Sequence, residues 1–215
     1  MSLAAIILAD QPDDQGELPA LYPFGDDGSL IEWQIAQVAA AGVRDIELVL
    51  GANADALIPL VASDNVEPII NPAWQTGIAA SMRVGATAVP RGVTHALIVD
   101  IREPRPARVL TALIEAQAQS GAPLVRPAHA GTPGTPLLVT DERIPVDGVG
   151  TETITADDLL NPVTILSGLR NVRDDADLER VLAWATRPHL VPFPSNIVLF
   201  RASSAPDLAL LTAET

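Results

Sequence analysis

Short, wholly apolar runs alternate with stretches of helical spacing along this chain, and that alternation limits the fold more than any other feature. Leu3–Leu8 reads L-A-A-I-I-L and is closed by Asp10, Gln11 and Pro12. Such a run suits a strand buried on both faces. A polar, Pro- and Gly-rich loop follows. Ser29 then opens S-L-I-E, a capping box in which Glu32 stands three residues after the N-cap. Leu30, Ile31, Ile35 and Val38 recur at helical spacing, and Gly42 supplies the stop. Ile46–Leu50 is the next apolar run, ended by Gly51. Strand, loop, helix, strand is a right-handed βαβ unit when the strands are parallel.

The alternation continues. A short helix is expected over Asn53–Val61, interrupted by Pro59, then a strand at Val66–Ile70 and a helix from Trp74 to Ala88. Ala96–Val99 is a buried strand ending at Asp100, and Val109, Leu110, Leu113 and Ile114 mark a helix that Gly121 ends. Leu124–Pro127 and Pro136–Thr140 read as short strands, and Asp141–Asp158 as irregular and acidic. Val163–Ser167 reads as a further strand and Asp175–Ala185 as an amphipathic helix. After Pro188, Pro192 and Pro194, Ile197–Phe200 is expected as an edge strand and Ser204–Leu211 as a short helix. The pattern predicts one α/β domain over residues 1–187, with its cleft beyond the carboxyl ends of the strands, and an extension over 188–215. The extension is a candidate edge for a homodimer or another protein partner.

Charge narrows the partners. The formal net charge is -14, and all thirteen basic residues are arginines. A negative field of that size excludes wrapping nucleic acid or lying on an anionic membrane, while leaving room for a local arginine pocket and a small phosphorylated ligand. Cysteine is absent, which excludes thiolate chemistry and cysteine-based metal sites. No basic segment precedes the first apolar run and no run reaches membrane-spanning length, so a cytoplasmic protein is expected. His95, His129 and His189 form no metal spacing; His129 is the one near a candidate site.

Asn71–Gly85 reads N-P-A-W-Q-T-G-I-A-A-S-M-R-V-G, with Asn71, Pro72, Trp74, Gly77, Ser81, Arg83 and Gly85 at fixed spacing. This resembles the N-P-x-W-x-x-G-x-x-x-S-x-x-x-G stretch of MobA/MocA-like nucleotidyltransferases, and weaker matches extend the resemblance over residues 3 to 185. It implies a Rossmann-like three-layer sandwich with a mainly parallel sheet, similar to nucleotide-diphospho-sugar transferases. The activity it implies is Mg²⁺-assisted transfer of a nucleotidyl group from CTP or GTP to a molybdopterin-like or other phosphorylated acceptor. That chemistry needs amides and cations around the phosphates and carboxylates for the metal. Asn71, Trp74, Gly77, Ser81 and Arg83 are the positions the resemblance assigns to nucleotide or substrate binding.

The sequence departs from the family where that chemistry would sit. The family opens L-A-A-G with an arginine and a later lysine. Here Leu8 and Ala9 lead into Asp10, Gln11, Pro12, Asp13, Asp14, Gln15, Gly16 and Glu17, with four acids and no cation. A carboxylate facing a triphosphate costs binding energy where a lysine would supply it. The family's G-H-P appears as Gly134, Thr135, Pro136, and its D-x-G loop is echoed near Asp147, Gly148 and Gly150. Where the family begins D-x-D, this chain has Asn171, Val172 and Arg173; Asp174 or Asp175 reads as a helix cap. Asp100 is the best catalytic and metal candidate, with a turn cap as the plainer reading. Arg102, Arg105 and Arg108 form a local basic cluster, readable as an anion site or as surface partners of Glu103. Two functions stay open: a homologue impaired in catalysis that serves as a binding or regulatory protein, and a working Mg²⁺-dependent transferase.

Overall fold

A computed structural model describes residues 2–13, 15–24, 28–52, 54–129, 132–140, 169–170, 172–176, 178–179, 182, 197–202 and 208–211. The strands are β1 (Leu3–Leu8), β2 (Pro23–Phe24), β3 (Gly28–Ser29), β4 (Asp45–Leu50), β5 (Val66–Ile70), β6 (His95–Asp100), β7 (Leu124–His129), β8 (Thr132–Pro133), β9 (Leu137–Thr140), β10 (Ile197–Ala202) and β11 (Leu208–Leu211). The helices are α1 (Leu30–Ala40), α2 (Ala54–Leu57), α3 (Ile78–Ala88) and α4 (Ala107–Ser120), and helical residues recur at 169–170, 175–176, 178–179 and 182.

The main sheet runs in the order β11-β10-β7-β9-β6-β1-β4-β5, with β8 paired to β7. Pairing is parallel for β1 with β4 and β6, for β4 with β5 and for β7 with β10. β9 enters antiparallel between β6 and β7, and β11 closes the far side antiparallel to β10. Strand β5 carries Pro68 and is outermost, where a missing N–H costs no ladder bond.

Alternation along each strand feeds two cores. Ala5, Ile7, Ile46, Leu48, Leu97 and Val99 face α1 and α4, meeting Ile31, Val38, Leu110 and Leu113. Ala4, Ile6, Val49 and Ile98 face α3 and the described helical residues between 169 and 182, meeting Ala79, Met82, Leu169, Leu178 and Leu182. Helices on both faces of a mostly parallel sheet make the expected three-layer α/β sandwich. Gly85 brings α3 close, because a Cβ there would stand 2.3 Å from Ile6 Cγ2.

The Ser29 box forms as read: the Glu32 carboxylate accepts from the Ser29 N–H at 2.9 Å and from its hydroxyl at 2.6 Å. Pro59 lies in a 3-10 turn at Ile58–Leu60 that follows α2, so it breaks no α-helical ladder. Two expectations need correction. The third helix does not start at Trp74; a 3-10 turn at Trp74–Thr76 precedes Gly77, whose φ of 109° separates it from α3. Of the helix expected at Ser204–Leu211, the described part, Leu208–Leu211, is a strand whose backbone pairs with β10, and strand pairing overrides a weak local helix preference. Ile197–Ala202 is accordingly interior, with β7 on one side and β11 on the other. The strand expected at Val163–Ser167, the acidic stretch 141–158 and the linker prolines lie outside the described residues. No helix among the described residues is long and apolar enough to cross a membrane.

Candidate active site

Pairing aligns Leu8 with both Val49 and Asp100, so the chains leaving β1, β4 and β6 emerge together at the carboxyl edge of the sheet. Asp10 is wholly buried there. Its Oδ2 accepts the Asn71 Nδ2–H at 3.0 Å and the Ser81 hydroxyl. Asn71 Nδ2 also lies 3.3 Å from Ser81 Oγ, and Asn71 Oδ1 accepts the Ala73 N–H at 3.0 Å. Asp10 Oδ1 is buried with no hydrogen-bond partner among the described residues. Two of the assigned binding residues, Asn71 and Ser81, therefore spend their polar groups on Asp10. Trp74 folds against the end of β4: a Cβ on Gly51 would stand 2.5 Å from Trp74 Cβ and 2.9 Å from Asp10 Cβ. The Gln11 side-chain amide donates to the Trp74 carbonyl, so the acidic loop that replaces the family's L-A-A-G is stitched to the family-like segment.

Gly77 is needed at its φ of 109°, a region that L side chains rarely adopt. The turn presents the first amides of α3, and Asp175 fills the place before them: its Oδ1 accepts the Ala79 N–H at 3.2 Å. Of Asp174 and Asp175, the two candidate caps of the following helix, Asp175 reaches across to cap α3, where a carboxylate at a helix N-terminus satisfies an orphan amide and the dipole together. Arg83 Nη1 donates to the Val172 carbonyl at 3.1 Å and Arg170 Nε to the Ala86 carbonyl at 2.9 Å. These bonds hold the 169–182 segment along α3.

Asp100 is buried to 7 % exposure, and its neighbour claims it. Arg102 donates Nε to both carboxylate oxygens at 3.0 and 3.1 Å and Nη2 to Oδ2 at 2.6 Å, while its backbone N–H reaches Oδ1 at 2.9 Å. The hydrogen bond to Asp100 holds the Arg102 guanidinium above its ordinary pKa, against the opposing effect of burial. Arg105 donates Nη2 to Glu103 at 3.0 Å and Nε to the Thr135 carbonyl at 3.1 Å. Gln34, fully buried in α1, grips the Arg105 backbone through its amide oxygen and nitrogen at 2.8 and 3.1 Å. Arg108 is exposed on α4. The basic cluster is thus divided between separate acids. Arg126, which sequence reasoning did not single out, donates Nε to the Gly134 carbonyl at 3.0 Å, and burial pushes its guanidinium below its ordinary pKa.

The opening loop closes on itself. Asp13 accepts the Gln15 and Glu17 N–H groups at 2.8 and 2.9 Å and the Tyr22 hydroxyl. The Tyr22 bond, then the backbone donors, lower the Asp13 pKa, and the Asp13 carboxylate pushes the Tyr22 hydroxyl up to about 12. Beside this loop a cavity of about 530 Å³ is walled by Pro12, Tyr22, Phe24, Leu30, Pro104 and Arg102, among others.

A resident divalent ion does not fit the side chains gathered here. Asp100 is engaged by a guanidinium, and among the described residues no three His, Asp or Glu side chains converge. Asp147, Gly148, Gly150, Asn171 and His189 lie outside the described residues, so the D-x-G echo and the neutral Asn171 position are not placed.

The MobA-like NTP transferase domain family matches residues 15–147 of the chain. No curated protein matches its sequence. Among solved structures, Rv0371c of Mycobacterium tuberculosis superposes with a TM-score of 0.67 at 16% identity, over 94% of this chain and 90% of that one. Its complex with manganese gives a TM-score of 0.64 at 16% identity, over 94% and 90%. The 4-diphosphocytidyl-2C-methyl-D-erythritol synthase of Anaerococcus prevotii gives 0.61 at 14% identity, over 92% and 86%. At such identities the likeness speaks for the fold.

Proposed function

This chain belongs to the MobA-like NTP transferase domain family, and from that premise we propose that it is a family member whose nucleotidyl transfer is disabled and whose cleft serves ligand binding or regulation. The observation that carries this reading is the capture of Asp100 by Arg102 through three side-chain contacts of 2.6 to 3.1 Å. A metal ion would have to displace that guanidinium and then face its charge. Electrostatics sets the scale: two unit charges at about 4 Å interact by roughly 4 kcal/mol at an effective dielectric near 20. The chain supplies no lysine in compensation. Two further features support the reading. Asp175 takes the Ala79 amide at the start of α3, and Asp13 draws the opening loop's donors to itself.

The test is pyrophosphate release from CTP and from GTP, with Mg²⁺ or Mn²⁺ and with acceptor-containing extract. No release above the metal-free control is expected. Metal-dependent release would overturn the proposal and restore the other reading, Mg²⁺-dependent transfer to a phosphorylated acceptor with Asp100 as metal ligand. Asp100→Asn would then abolish turnover.

A further inference from the structure

The cavity beside the opening loop combines a mostly apolar lining with, among the described residues, one cation. Four prolines, among them Pro12 and Pro104, line it with Tyr22, Phe24, Leu30 and Ile101. Its volume of about 530 Å³ falls within the range in which small-molecule sites are found. Among the described residues two charged side chains line it, Asp13 and Arg102.

Those two charges are not equivalent. Asp13 already accepts from two backbone amides and the Tyr22 hydroxyl, so it has little left to offer a cation. The same bond occupies the Tyr22 hydroxyl proton, leaving that ring as an apolar wall. Arg102 uses Nε and Nη2 on Asp100, while its Nη1 makes no hydrogen bond to the described residues. Its side chain remains 43 % exposed. A guanidinium so oriented keeps a free donor edge for an anion.

The size of the anion follows from the surrounding charge. Arg102 is partly neutralised by Asp100, and Glu103 and Asp10 stand near enough to act on it electrostatically. A triphosphate brings several negative charges to this one shared cation, whereas a carboxylate brings one. The proline and aromatic side chains of the lining suit a ring, which gains from such contacts without needing further polar partners.

We propose that this cavity binds a small planar carboxylate, its ring held by the proline and aromatic walls and its carboxylate by Arg102. The proposal deepens the reading of the chain as a non-catalytic binding protein and rests on it.

Calorimetry on the full chain tests it with 2-naphthoate, its neutral counterpart 2-naphthamide, and CTP. The acid is expected to bind at least about tenfold more tightly than the amide, as one charge-assisted contact provides. Arg102→Gln removes that preference. Asp100→Asn, which releases Arg102 from its partner, tightens the acid and leaves the amide unchanged. Equal binding of acid and amide, no binding of the acid, or tighter binding of CTP than of the acid each overturns the proposal. If Arg102→Gln fails to fold, the acid–amide comparison in the unaltered chain decides alone. The outcome stays separate from the pyrophosphate assay: absent release with absent acid preference sinks the ligand assignment only, whereas metal-dependent release sinks the reading beneath it.

Discussion

Glu47 sits on β4, an interior strand next to the edge, with only 4 % of its surface exposed. Pairing sets it opposite Ile6 on β1 and opposite Glu67 on β5, so one flank is apolar and the other carries the same charge. Burial first, then Glu67 and Asp45, push its carboxyl from 4.5 to about 7. A raised acid binds its proton more tightly in the folded chain than in the unfolded one. Its stabilising effect is therefore fully present below about pH 4.5 and is lost as pH rises through about 7. Glu47→Gln keeps the shape and removes the titration. It is expected to raise stability at pH 8 by about 1–3 kcal/mol and to leave it unchanged near pH 4. Urea melts at the two pH values check this, and an equal effect at both would contradict it. The buried run around Glu47 was legible in the sequence, but the pairing with Glu67 required the register of two parallel strands.

At the scale of elements, α3 shows what local sequence carries and what it does not. Within the motif from Asn71 to Gly85 the spacing fixes which side chains meet: Asn71 and Ser81, ten residues apart, both reach Asp10. The helix start was misread since Trp74 fits the helical spacing, and only the φ of Gly77 shows the break. The cap was beyond reach, for Asp175 lies 96 residues from Ala79 and its own surroundings resemble an ordinary N-cap. Ser29 and Glu32 were readable because both halves of that cap lie within one turn. Similarly, Arg102 was visible as a cation near Asp100, but its grip on that carboxylate is a matter of rotamers. Asp175→Ala is expected to cost about 0.5–2 kcal/mol, the usual value of a lost N-cap, with Asp175→Asn costing less. Thermal unfolding of the two variants measures it. A loss confined to the 169–182 segment, seen by amide exchange with α3 unaffected, would show that the contact anchors the segment without capping the helix.

For the whole molecule, the tail is where sequence pattern and architecture part. Read by composition, residues 188–215 look like an appendage after a proline-rich boundary. In the sheet, β10 pairs in parallel with β7 across Ile197–Arg201, and β11 then becomes the outermost strand. Short segments such as L-A-L-L give a helix or a strand with nearly equal ease, and the partner that decides between them lies elsewhere in the fold. Ending the chain after residue 187 would remove both strands and leave β7 without the partner it has in β10, paired only with β8 and β9. An interior parallel strand opened in this way exposes a long row of unpaired amides and carbonyls, which is a template for aggregation. The truncated chain is therefore expected to melt several degrees lower and to associate at concentrations where the full chain does not. Light scattering and thermal melts of the two chains decide the point. A truncated chain with unchanged melting temperature and mass would mean that 1–187 folds as a complete unit and that the tail is an attachment, free to serve a partner. A lower melting temperature would make the last two strands part of the domain, leaving β11, not β10, as the edge on which a second copy of this chain would add.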